Sequence, residues 1–226
     1  MKPTSFDQML ASALLEMTSE PTLPATLDRV VALVVEMVES CDAASVVLLE
    51  DHESATVVAS DETLRDLMLD HPDLESTPAW TVHQRQEPVH SADLTLDFRW
   101  PAMGEELSRR LGIHSLYALP LTHSERPLGV LMAFAETTGA LGEDEQETVR
   151  ILAIHATAQL ADAVEHQQLE RALSSRTVIG QATGIVMERY GLDSVRAFGV
   201  LRRLSQTENV KLRDIASQVV DSGQVE

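Results

Sequence analysis

Cysteine is nearly absent from this chain. Cys41 is the single one in 226 residues, which excludes an internal disulfide and a Cys-rich metal cluster. Aromatic residues make up 4% of the chain against 44% hydrophobic residues, so any core must be built from aliphatic side chains. No apolar run approaches the roughly 20 residues that a membrane span needs. The opening Met1-Lys-Pro-Thr-Ser-Phe lacks the charged-then-apolar layout of a secretory signal, so a cytoplasmic protein without membrane contact is expected. There is no P-loop, Rossmann glycine fingerprint, nucleophile triad or His-x-x-x-His spacing. Catalysis, a metal and a cofactor are therefore not expected.

Positive charge is also scarce, with 17 Lys/Arg against 36 Asp/Glu and a net charge of −19. It is not evenly scarce. Residues 171–226 hold eight Lys/Arg (Arg171, Arg176, Arg189, Arg196, Arg202, Arg203, Lys211, Arg213) against six acids. A pI near 4.7 argues against a nucleic-acid partner, but the local balance does not. These arginines are either an ordinary solvated face or a surface for a polyanion.

The rest of the chain alternates between two periods. Residues 5–18 place Phe6, Met9, Leu10, Ala13, Leu14 and Met17 at helical spacing, and Pro21 and Pro24 then break the chain. Residues 25–40 read as a second helix. Ala44–Leu49 and Ala55–Ser60 read as a strand hairpin about a polar turn. Helices are expected at 62–71, at Pro78–Gln86 and at 102–111, the last ended by Gly112, with a short strand at Pro88–His90. Ser115–Leu121 and Leu128–Phe134 form a second hairpin, with Pro120 at an edge or bulge. From Asp144 a helical pattern runs without Pro or Gly to Gly180. That length suggests a coiled-coil-like element, and a dimer seam is expected over 144–175. The polar run Glu165-His-Gln-Gln168 is a candidate joint. Three helices follow: one to Tyr190, one over 194–207 capped by Asp193, and one from Lys211 to Val220. The fold class is α+β: an antiparallel sheet with flanking helices, a long connecting helix and a C-terminal three-helix bundle.

Two stretches resemble known families. The order helix, hairpin, helical excursion, hairpin, helix over 24–164, with Leu119-Pro-Leu and Pro127-Leu-Gly-Val-Leu131, resembles a GAF domain. Residues 165–222 resemble an ANTAR domain through Ala172–Arg176, Ile179–Arg189, Ala197–Arg203 and Asn209–Ala216. This divides the chain into an N-terminal helix (1–23), a GAF-like sensor (24–164) and an ANTAR-like domain (165–226). The resemblance implies an RNA-binding transcription antitermination regulator of actinobacterial type, and the long helix adds the expectation of a homodimer. Such a regulator recognises paired hairpins in nascent leader RNA under control of a small-molecule or protein signal.

The chemistry of the C-terminal helices fits that implication. At 100° per residue, Val178, Ile179, Ala182, Ile185 and Val186 fall on one arc, while Arg176, Gly180, Thr183 and Met187 fall on another, with Gly184 beside it. Each glycine inside a helix costs roughly 1 kcal/mol relative to alanine. Gly180 and Gly184 therefore serve either tight helix packing or close approach of a ligand backbone such as an RNA loop. On the next helix Arg196, Gly199 and Arg203 share a stripe, with Arg202 beside Phe198. The candidate RNA-binding residues are Arg176, Gly180, Gln181, Thr183, Gly184, Arg189, Tyr190, Arg196, Arg202, Arg203, Lys211 and Arg213. Tyr190 either stacks on a base or packs at its helix end.

The sensor half offers less. It lacks the spaced Asn-Lys…Phe…Asp-Glu signature of cyclic-nucleotide-binding GAF domains. Cys41 and His155 read as structural or surface residues. Trp80 and Trp100 either line a pocket or fill the core. Asp51 follows a strand as a receiver's phosphoryl acceptor does, but the helix-first order and the hairpin return argue against a receiver. Two other classes stay open: a DNA-binding regulator using its last helices, and a ligand-sensing module whose tail docks a protein.

Overall fold

The computed structural model describes residues 22–51, 54–70 and 74–222. The helix expected over 5–18, the residues around the first hairpin's turn at 52–53, and Pro72 lie outside them. The described chain divides into two compact units between Val164 and Glu165.

In the first unit, helix α1 (Leu23–Met37) opens on Thr22, whose hydroxyl accepts from the Ala25 N–H, with Pro24 in the first turn. Strands β1 (Ala43–Asp51) and β2 (Ser54–Ala59) form the first hairpin. Helix α2 (Glu62–Leu69) starts on an Asp61 cap, and helix α3 (Pro78–Arg85) on a Thr77 cap. Strand β3 (Val89–Ser91) and helix α4 (Pro101–Leu111) follow. Gly112 ends α4 in the left-handed region, φ 68°, which any other residue would occupy at a cost. Strands β4 (Ser115–His123) and β5 (Arg126–Ala135) form the second hairpin. The sheet is antiparallel throughout, in the order β2-β1-β5-β4-β3.

Both faces of this sheet are covered, which explains why β4 and β5 read as continuous apolar runs rather than as alternating ones. One face, carrying Val46, Leu48, Tyr117, Leu119, Leu131 and Ala133, packs in one core with α1 and with Val149, Leu152, Ala156 and Leu160 of the long helix. The other face, carrying Val47, Leu116, Ala118, Val130, Met132 and Phe134, packs with α2, α3 and α4. Trp100 belongs to this second core. It is 1% exposed and its indole N–H donates to the Thr81 hydroxyl at 3.0 Å. Of the two roles open to it, Trp100 takes that of core. Pro120 stands opposite Val130, beyond the last β3–β4 pair at Val89 and Ala118, where no ladder partner needs its missing N–H.

Helix α5 (Glu143–Tyr190) is 48 residues long. It passes through Glu165–Gln168 without a break, so the polar run interrupts the apolar stripe but not the helix. In the second unit the end of α5 joins helices α6 (Ser194–Glu208) and α7 (Leu212–Ser222). Asp193 caps α6 by accepting from the Arg196 N–H at 2.8 Å, and Asn209 ends it at φ 55°. Ala182, Val186, Ala197, Leu201, Ile215, Ala216 and Val219 form the small core. Among the described residues no helix is long and apolar enough to cross a membrane.

Candidate nucleic-acid interface

The second unit is a minimal bundle, and its core fixes which residues face outward. On α5 the buried Ala182 and Val186, with Ile179 partly buried, define the inward direction. Measured from it at 100° per residue, Gly184 points almost directly away and Gly180 lies about 40° from Gly184. Arg176, Thr183 and Met187 lie between that solvent face and the core. Arg176, Gly180, Gln181 and Gly184 are exposed, and Thr183 is half-buried. The Thr183 hydroxyl donates back to the Ile179 carbonyl at 2.7 Å, which leaves its oxygen lone pairs and methyl for outside contact.

A Cβ placed on Gly180, Gly184 or Gly199 would meet nothing within 4 Å. The helix-packing role for Gly180 and Gly184 is therefore not played by any described part of this chain. The contrast with Gly104 and Gly129 is sharp: a Cβ there would lie 2.3 Å from the Leu94 carbonyl oxygen and 2.4 Å from that of Val47. Those two are packing glycines. Gly180, Gly184 and Gly199 are open.

On α6, Ala197 and Leu201 point inward, and Val195, Arg196, Arg202 and Arg203 are exposed, with Gly199 half-buried. Phe198 is 40% exposed on the same side as Arg202, and Tyr190, at the end of α5, is 52% exposed. Neither ring is packed away, so each presents an apolar surface on which a base could stack. Val195 and Phe198 were not among the expected site residues. Their signal was an apolar pair at i, i+3 off the core stripe of α6. Lys211 and Arg213 are exposed at the start of α7.

The cations differ in their partners. Arg196 pairs with its own cap, Asp193, at 3.5 Å, and Arg213 pairs with Asp214 at 3.1 Å. Arg176, Arg189, Arg202, Arg203 and Lys211 have no carboxylate oxygen within 4.0 Å among the described residues. Exposed pairs are worth little to stability, but they lower the local positive potential. The unit thus offers open helix backbone, five unneutralised cations and two accessible aromatic rings. Among the described residues no three His, Cys, Asp or Glu side chains are grouped as a metal site would require.

A family model described as GAF domain matches residues 20–161, and one described as ANTAR domain matches residues 167–220. No curated protein matches the chain. Among solved structures it is similar to the GAF domain of a phosphoenolpyruvate-protein phosphotransferase from Coxiella burnetii, at 21% identity and a TM-score of 0.62, over 72% of this chain and 96% of that one. It is similar to the corresponding Acinetobacter GAF domain at 17% identity and a TM-score of 0.59, over 74% and 99%. The free methionine-R-sulfoxide reductase of Neisseria meningitidis, solved with its substrate, shares 12% identity at a TM-score of 0.54, over 71% and 91%.

Proposed function

Because this chain belongs to the GAF-domain family and carries an ANTAR domain after it, we propose that it is an RNA-binding transcription antitermination regulator. In this reading a sensor, residues 24–164, controls an RNA-binding domain, residues 165–226, which recognises paired hairpins in nascent leader RNA. The protein works in the cytoplasm as a homodimer joined through α5 over residues 144–175. Leu169 and Leu173, 58% and 64% exposed on one stripe of that helix, support the seam.

The observation that carries the RNA reading is the open glycine face of α5 beside Arg176. Helical glycines with no neighbour are a cost without a return inside the monomer, and close approach of a sugar-phosphate backbone supplies the return. The candidate contacts are Arg176, Gly180, Gln181, Thr183, Gly184, Arg189, Tyr190, Arg196, Arg202, Arg203, Lys211 and Arg213. The acidic body, with nine cations against thirty acids over residues 1–170, repels RNA and confines binding to this end.

The sulfoxide reductase likeness raises an enzymatic alternative, which the side chains disfavour. Burial pushes the Cys41 thiol up to about 11, so at neutral pH it is a protonated structural residue rather than a nucleophile. The test is a fluorescence anisotropy titration of the full chain with a paired-hairpin RNA and with duplex DNA. Tight, salt-dependent binding of the hairpins that falls in the Arg176→Ala/Arg203→Ala variant supports the reading. Preference for duplex DNA, or no hairpin binding at low salt, sinks it. Sequencing RNA crosslinked to the protein in its host then identifies the transcripts.

A further inference from the structure

A groove of about 410 Å³ runs along one flank of α5 in the first unit. Arg150, Ile154 and Ala158 line it over two turns of the helix, facing Leu119 and Pro120 of β4, and it closes at the corner formed by Thr122, His123 and Ser124. The volume lies in the range of small-molecule sites, roughly 300–1,000 Å³. The groove sits on the α1 and α5 side of the sheet. The opposite side is filled by Leu94, Trp100, Met103 and Leu107, each 1% exposed or less.

The groove's chemistry has a definite sign. Its floor is apolar: Leu119 and Ala153 are buried, while Ile154 projects with 69% of its surface exposed. Among the described residues no carboxylate lines it, although Glu147 pairs with Arg150 from outside the lining, whereas Arg150 and His123 do line it. Arg150 is held in place from two sides. Its Nε donates to Glu147 at 2.9 Å and its Nη1 donates to the Tyr117 hydroxyl at 2.9 Å. Tyr117 is 2% exposed, so this anchor is fixed in the sheet. Nη2 makes no hydrogen bond to a described residue, which leaves a preoriented charged donor at one end of an apolar trough.

We propose that this groove binds a small amphipathic carboxylate, an aliphatic or aryl-alkyl acid. Its carboxylate rests on Arg150 and its apolar body lies along Leu119, Ala153 and Ile154. The proposal rests on the reading of the first unit as the sensor and names the chemistry it senses. The site is on α5 itself, the same continuous helix that carries Arg176, Gly180 and Thr183. A ligand engaging Arg150 through Nη2 leaves the bonds to Glu147 and Tyr117 in place and bears directly on α5.

The test titrates the full chain with octanoate, 3-phenylpropionate, acetate and the neutral amides of the first two, followed by calorimetry and saturation-transfer NMR. Octanoate and phenylpropionate are expected to bind. Acetate, lacking the apolar body, and the amides, lacking the charge, are expected to bind roughly tenfold or more weakly. Arg150→Met keeps the apolar stem and loses the charge, so it should weaken both acids by roughly tenfold while the circular dichroism spectrum is unchanged. Ala158→Trp, at an exposed position, should block the trough. Amides binding as well as acids, or both variants binding like wild type, overturns the proposal. So does an Ala158→Trp variant that turns a dimer into a monomer while no acid binds the wild type, since the groove then belongs to a second copy. Hairpin binding is measured in parallel. Lost acid binding with intact RNA binding removes the ligand proposal alone, and the converse removes the RNA reading alone.

Discussion

Replacing Gly180 and Gly184 by alanine tests the idea that these glycines serve a partner rather than the fold. Both lie inside α5, are exposed, and leave a new Cβ in open space. Each substitution removes backbone freedom from the unfolded chain and adds no clash, so each should stabilise the helix by about 1 kcal/mol and the pair by about 2 kcal/mol. In a unit of some 60 residues that corresponds to a rise of roughly 10 °C in Tm. A methyl on this face also holds an RNA backbone away. The double variant should therefore melt later by circular dichroism and bind hairpin RNA about tenfold or more weakly by anisotropy, a loss of about 1.4 kcal/mol or more. Gly129→Ala is the internal control, because its Cβ would lie 2.4 Å from the Val47 carbonyl oxygen and must destabilise the sheet. Two results would refute the reasoning. Unchanged RNA affinity would mean that nothing approaches the glycines in the complex. A fall in Tm would mean that they already pack against something in the free protein.

Other perturbations probe other parts. Arg99 beside Asp97, bonded to it at 2.6 Å, holds that carboxyl down to about 2. The folded value lies below the ordinary one, so the stabilisation is complete above about pH 4 and disappears as pH falls through 2. Asp97→Asn should cost about 1–2 kcal/mol at pH 7, and urea melts at decreasing pH should show the gap closing between pH 4 and 2. The β4–β5 turn places Ser124 and Glu125 at φ 48° and 66°, where Asn-Gly is favoured, so Ser124→Asn with Glu125→Gly should raise stability by about 1–2 kcal/mol in the same assay. Leu169→Glu with Leu173→Glu should convert a dimer to a monomer in light scattering without loss of helicity. A dimer that survives places the seam elsewhere.

How far the sequence is legible depends on whether a feature is local. Caps and stops were readable because one residue carries each of them: Asp193 for α6, Gly112 for the end of α4. The core-facing arc at the end of α5 follows from spacing alone, with Ala182 and Val186 as its buried members. The polar run at 165–168 is instructive, because loss of the apolar stripe reads as a joint. Glu, His and Gln are compatible with helix, and none removes a backbone donor as proline does, so a change of partner need not be a change of structure. Gly-x-x-x-Gly was ambiguous for a different reason. Spacing shows that a face is smooth, not whether anything lies on it, and that needed the neighbours in space. The groove was invisible for the same reason. It brings Leu119 and Pro120 of β4 to Arg150 and Ile154 of α5, and no periodicity links a strand residue to a helix residue at that separation.

The distribution of partners among the cations sharpens the expected RNA contacts. A phosphate brought to Arg196 or Arg213 also approaches Asp193 or Asp214, and it must displace that carboxylate or accept its repulsion. A phosphate brought to Arg176, Arg189, Arg202, Arg203 or Lys211 meets no such competitor and releases its own counterion. Each effective contact contributes about 0.7–0.9 to the slope of log affinity against log salt. Single alanine substitutions should therefore separate into two groups. Loss of Arg176, Arg189, Arg202, Arg203 or Lys211 should lower both affinity and slope. Loss of Arg196 or Arg213 should lower neither by much, and Arg196→Ala leaves the Asp193 side chain still capping α6 through the residue 196 N–H. If the paired arginines matter as much as the unpaired ones, the carboxylates move aside on binding, and the free protein's ion pairs then do not report which cations the RNA uses.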